Sequence, residues 1–203
     1  MSFKDKLKTV VDTYSNGDEE VIIDNSEDDL IGAKGFEYKD GFGAKLDING
    51  CWVKQYKDSC WASSIATCAR YRNFKKYKYL NGEDVSNKVG VEYGKSSSIT
   101  KMLEACEEYD LDYKYLGDDK IMSFDKITKN ILKEAPVMMI SYNNTGGAHA
   151  TTCVGYTNHG GIKQIIFFNS GSYSITTVEY KSSGTKYSYS NQILTWKRSL
   201  YIK

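Results

Sequence analysis

The run from Ala148 to Asn169 is the strongest constraint on how this chain can fold. Ala148 to Tyr156 and Ile165 to Phe168 have the composition of strands, and Thr157-Asn158-His159-Gly160-Gly161 lies between them. Asn and Gly clustered between two apolar runs mark a turn, so the segment predicts an antiparallel hairpin. With the turn centred on residue 159, His149 and Asn169 are equidistant from it and stand side by side. A hairpin here commits the C-terminal half to antiparallel pairing.

The pattern upstream is different. Helices are predicted over 61–72, over 99–109 with Ser98 as cap, and over 124–134 with Ser123 as cap. Ile99, Met102, Leu103 and Cys106 keep helical spacing, as do Phe124, Ile127 and Ile131. Lys75 to Ser97 reads as a polar loop. Pro136 stops the third helix, and Val137–Tyr142 reads as the first long strand. Further strands are predicted at 148–156, 162–169, 174–180, 192–196 and 199–202. Helices followed by an antiparallel sheet make the fold class α+β, with a cleft between the two halves. The 17 tyrosines suit half-buried sheet surfaces and an extended peptide groove.

Four residues carry chemistry. Cys60 opens the first predicted helix, where free N–H groups point at the sulfur and favour a thiolate. A free thiol, with pKa about 8.5, is only slightly ionised at neutral pH, so this placement matters. His149 on its strand supplies a base, and Asn169 can fix its ring and tautomer. Gln55, five residues before Cys60, offers an amide donor for an oxyanion. In chain order these are a donor, a nucleophile, a base and an orienter. Each alone has a plainer explanation: Cys60 as a small buried hydrophobe, Asn169 as a strand end, Gln55 as a solvated loop residue. His159 reads as a turn residue. No Cys-x-x-Cys or Cys-x-x-His pair is present, so no metal or other cofactor is implied.

Gln55…Cys60-Trp61-Ala62, His149-Ala150…Val154-Gly155-Tyr156 and Asn169-Ser170-Gly171 together resemble the papain-like cysteine peptidases. The resemblance runs from about Asp47 to the C-terminus and is nearer to compact bacterial members, of the staphopain and bacteriocin-processing kinds. It implies a helical N-terminal half, bearing the cysteine helix, packed on a C-terminal antiparallel β-sheet half. It also implies Cys60 as nucleophile, His149 as general base and acid, Asn169 as orienter and Gln55 as oxyanion donor. Two departures stand out. Lys57-Asp58-Ser59 replaces the usual Cys-Gly-Ser before the nucleophile. Gly171 replaces the tryptophan that usually shields the His–Asn pair, which implies a wetter or differently covered pair.

The resemblance implies hydrolysis of peptide bonds in a peptide or protein substrate through a thioester. The same Cys-His-Asn site also suits a transpeptidase or acyltransferase, and an inactive peptide-binding relative is the third alternative. Residues 1–45 carry 6 lysines against 11 acidic residues, a net −5, and residues 46–203 carry a net +6. This division predicts an N-terminal extension, 1–45, and a peptidase domain, 46–203. Opposite charges let the two associate, and the resemblance makes the extension a possible inhibitory propeptide, as in a zymogen, with Lys45 a plausible cleavage point. A net charge of +1 predicts no nucleic-acid partner. No apolar run is long enough for a membrane span, and no secretory signal is evident. The expected location is therefore cytoplasmic, or secreted by removal of a signal or an unconventional route. Cys51, Cys68, Cys106 and Cys153 read as buried thiols, or as disulfide partners in an exported protein.

Overall fold

A computed structural model describes residues 35–202. It is α+β, with five helices and a curled antiparallel sheet of nine strands among the described residues. The strands are β1 (Phe36–Lys39), β2 (Gly43–Leu46), β3 (Tyr113–Tyr115), β4 (Val137–Tyr142), β5 (Ala148–His159), β6 (Ile162–Asn169), β7 (Ser174–Glu179), β8 (Lys186–Tyr189) and β9 (Gln192–Ile202). The helices are α1 (Cys60–Arg72), α2 (Phe74–Tyr77), α3 (Gly82–Lys88), α4 (Ile99–Glu108) and α5 (Phe124–Leu132).

Helix α1 is buried nearly all round, from Cys60 to Ala69 and again at Tyr71. Its sequence is rich in Ala, Ser, Thr and Cys, so neighbours can approach on every side. It packs with Met102, Ala105 and Cys106 of α4 and with Met138, Ile140, Ala150 and Leu200 of the sheet. The sheet's other face holds Val137, Met139, Val154, Ile165 and Phe167 with Ile127 and Ile131 of α5. Strand β4 thus sends alternate residues into two cores. That is why Val137–Ile140 is an unbroken apolar run with no alternation.

Strand β5 is the hub. Residues 148–153 pair with β4, 155–157 with β2 and 152–159 with β6. Strands β2 and β5 approach so closely at Gly43 and Gly155 that these two positions have no room for a side chain. A Cβ on Gly43 would come to 2.6 Å from the Tyr156 carbonyl oxygen, and one on Gly155 to 2.8 Å from that of Ala44.

The register corrects one prediction. His159 is paired with Ile162, so it ends β5 and the turn is Gly160-Gly161, both at positive φ. A bulge between Cys153 and Gly155 then shifts the pairing by one residue, matching Thr152 with Phe168. Continuing that register puts Asn169 opposite Thr151, not His149.

Several elements were missed from sequence. The loop predicted at 75–97 contains α3 and the end of α2. Helix α3 has a capping box, in which the Asn81 side chain accepts from the Glu83 and Asp84 N–H groups while the Asp84 carboxylate accepts from the Asn81 N–H. Strands β3 and β8 are short, and the two strands predicted at 192–196 and 199–202 are one. The extra residue is Lys197, bulged between Trp196 and Arg198 opposite Ser141 and Ile140. At the N-terminus, the boundary expected at 45 falls inside β2. Lys45 is buried, ion-paired with Glu37 and opposite Gly155. The rest of the expected extension, residues 1–34, lies outside the described residues.

Candidate active site

Cys60 is the first residue of α1, and no acidic residue occupies the first turn of that helix. The residue is 8% exposed, and its sulfur accepts a hydrogen bond from the Ala150 N–H at 3.3 Å. Burial pushes the Cys60 thiol up. The N–H groups of Ala150, Trp61 and Cys60 itself oppose this, and nearby Asp58 adds to it. The helix-end donors expected from sequence are therefore in place, but desolvation outweighs them.

Alternation along β5 sends Ala150 toward α1 and His149 to the side where Asn169 and Tyr189 lie. His149 is buried, and its Nε2 lies 2.8 Å from Asn169 Oδ1. The two residues meet although they are not directly paired. A diagonal offset of two residues on one sheet face leaves side chains about 7 Å apart at their roots, within reach of an imidazole and an amide. Asn169 Oδ1 also accepts the Gly171 N–H at 3.0 Å. A backbone N–H can only donate, so this bond fixes the amide orientation. Nε2 must then carry the hydrogen it shares with Asn169, which leaves Nδ1 as the basic nitrogen. Burial lowers the His149 pKa from its ordinary value, and the Asn169 hydrogen bond partly restores it.

Gln55 is tied to the same region. Its N–H donates to the Ser170 carbonyl at 3.0 Å, and its Oε1 accepts from Ser170 Oγ at 3.2 Å. Its Nε2 donates to the Lys57 carbonyl at 2.7 Å, which commits one of its two hydrogens. Lys57 adopts φ +47°, so the loop needs a left-handed residue just before the helix. Ser59 Oγ closes the loop by donating to the Tyr56 carbonyl at 2.6 Å.

Of the four residues singled out from sequence, His149 meets Asn169 directly, Gln55 is tied to Ser170 beside Asn169, and Cys60 meets the backbone N–H of Ala150 beside His149; among the described residues no hydrogen bond joins Cys60 to His149 itself. Three contributors were missed. Ser170 anchors Gln55, the Ala150 N–H meets the sulfur, and Tyr189 stacks on His149 with ring centroids 4.3 Å apart and planes 13° off parallel. Ser170 stands beside Asn169 and could have been suspected from position. Nothing local in the sequence pairs Tyr189 with His149. The pair is differently covered, as the glycine at 171 implies. Among the described residues, all five cysteines are buried and free.

No family model matches the sequence, and no curated protein does. Solved structures are similar, two of them as follows. One comes from work on cross-reactivity between the mite allergens Blo t 1 and Der p 1; it is 15% identical over 72% of this chain and 66% of its own, with a TM-score of 0.43. The other is digestive procathepsin L 3 of Tenebrio molitor larval midgut, 10% identical over 79% of this chain and 71% of its own, with a TM-score of 0.48. The chain spans a little under two thirds of the mite allergen chain.

Proposed function

We propose that this chain is a papain-like cysteine peptidase that cleaves peptide bonds through a thioester. One observation carries the reading. His149 is buried and tautomer-fixed by Asn169, and the residue next to it, Ala150, hydrogen-bonds the Cys60 sulfur.

In the proposed mechanism Cys60 passes its proton to His149 Nδ1 and attacks the substrate carbonyl carbon. Burial disfavours either charge alone. Formed together, thiolate and imidazolium stabilise each other, so one transfer creates both. The carbonyl oxygen becomes an oxyanion and accepts from the Cys60 N–H and the remaining Gln55 Nε2 hydrogen. The imidazolium protonates the leaving nitrogen, the C–N bond breaks, and a Cys60 thioester remains. Neutral His149 then takes a proton from water. The water oxygen bonds to the acyl carbon, the C–S bond breaks, and the acid departs.

The test is labelling of Cys60 with a papain-directed epoxide, read by intact mass and peptide mapping, with His149→Ala alongside. It is run on the full chain and on a form beginning at Gly35, which retains β1 and β2. Modification of Cys60 that requires His149 is the expected result. Labelling confined to the shorter form would make residues 1–34 an inhibitory segment. An unlabelled Cys60 in both forms would overturn the reading in favour of an inactive peptide-binding relative.

A further inference from the structure

We infer that Tyr189 is a positioning residue that roofs the His149–Asn169 hydrogen bond, and that position 171 has no side chain because the Tyr189 ring occupies its space. The inference rests on the peptidase reading above.

The geometry is reciprocal. The Tyr189 ring lies nearly parallel to the His149 imidazole at stacking distance. A Cβ built on Gly171 would fall 1.9 Å from the Tyr189 hydroxyl oxygen and 2.5 Å from its ring carbon. Even alanine at 171 therefore has to drive the ring away. Gly171 takes no positive φ, so the absence of a side chain there answers to space, not to backbone conformation.

The roof is itself held. Tyr189 ends β8 opposite Gln192, across a turn whose two residues, Ser190 and Asn191, both have positive φ. The Gln192 side-chain oxygen accepts from Asn143 Nδ2. Asn143 Oδ1 in turn accepts the N–H groups of Thr145 and Gly147, in the loop that leads into β5 and His149. The hairpin tip carrying Tyr189 is thus fastened to the segment that delivers the imidazole.

Two effects follow. Excluding water strengthens the Nε2–Oδ1 bond, and a π-face favours the imidazolium that forms during the reaction. Both act on the chemical step rather than on substrate capture, so the signature is a loss of kcat at constant KM.

The experiment compares Tyr189→Ala, Tyr189→Phe, Gly171→Ala and the Tyr189→Ala/Gly171→Ala double variant in the full chain. The rate of Cys60 alkylation by iodoacetamide is followed, and kcat and KM on a peptide substrate where turnover is measurable. Tyr189→Ala is expected to lower the rate about tenfold. Tyr189→Phe keeps the ring and stays within about threefold of the parent by the same reasoning. Gly171→Ala phenocopies Tyr189→Ala, and in the double variant it adds nothing. Additive losses, or a Tyr189→Ala rate equal to the parent's, would overturn the inference. Proton NMR supplies a readout independent of catalysis, because the chain has only two histidines and His159→Gln assigns them. The His149 ring protons should be shifted upfield by the stacked tyrosine and should lose that shift in Tyr189→Ala. An unshifted His149 in the parent protein removes the roof. A shifted His149 beside a Cys60 that is insensitive to His149→Ala removes the peptidase reading instead.

Discussion

Replacing Asn169 with alanine deletes one atom that serves two donors. Asn169 Oδ1 accepts from His149 Nε2 at 2.8 Å and from the Gly171 N–H at 3.0 Å. Gly171 is half-exposed, so water can take over its bond. His149 is 5% exposed, and its Nε2–H would be left without an acceptor. An orphaned buried donor costs about 1–3 kcal/mol, which sets the expected loss of stability. Reactivity suffers separately, because either ring nitrogen can then hold the hydrogen and the ring can turn. An orienting interaction worth roughly 1.4–2.7 kcal/mol corresponds to about 10- to 100-fold in rate. The assay is carboxamidomethylation of Cys60 across pH, read by peptide mass, with urea denaturation of the same samples. The other four cysteines provide a quiet background, since they are buried and burial raises every one of their pKa values. Asn169→Asp keeps an acceptor in place and should react closer to the parent than Asn169→Ala does. An Asn169→Ala protein that is folded yet alkylates within twofold of the parent at every pH would refute the orienting role.

Three further outcomes follow from the fold. Gly155→Ala forces a Cβ to 2.8 Å from the Ala44 carbonyl oxygen and should cost about 1–3 kcal/mol in urea denaturation, as overpacking does. Glu134 follows α5 at φ +55°, and Glu134→Gly should raise stability by roughly 0.5–1 kcal/mol, the relief of left-handed strain less the added chain entropy. Alkaline pH should destabilise the protein. Burial raises Cys68 to about 11 and Cys51 and Cys153 to about 12, so the native state keeps protons that the unfolded chain releases near pH 9. Their stabilisation is complete below that pH and is lost as pH rises toward 11 and 12. The slope is about 1.4 kcal/mol per pH unit for each thiol, measurable by denaturation at stepped pH.

What could be read from sequence depended on how local the cause was. The three long helices and the β5–β6 hairpin carry their own periodicity, caps and turn residues, and they were legible to within a few residues. The His149–Asn169 contact was anticipated, but through a symmetric hairpin that the structure lacks. A displaced turn and a bulge changed the register, and the meeting survives because both side chains span a diagonal. Strands β1, β2, β3 and β8 are three or four residues long, too short to show a period, and β2 and β3 pair with strands far along the chain. Tyr189 escaped for the same reason. Its value lies in a stack formed by a different hairpin, and a lone tyrosine among 17 carries no mark of it.

The hub role of β5 has a consequence for the protein while it is being made. Cys60 and Ala150 are 90 residues apart, and Tyr189 comes later still. Synthesis therefore delivers the proposed nucleophile first, then its proposed base, then the proposed orienting amide, and last the ring that stacks on His149. Strand β2 likewise emerges long before β5, the strand it must join. Such distant partners make folding slow and concentrate it near chain completion. Until then Cys60 is an ordinary, weakly ionised thiol. On the proposed reading, whatever reactivity the finished site possesses depends on partners that arrive after Cys60, and it switches on only with the last hairpin.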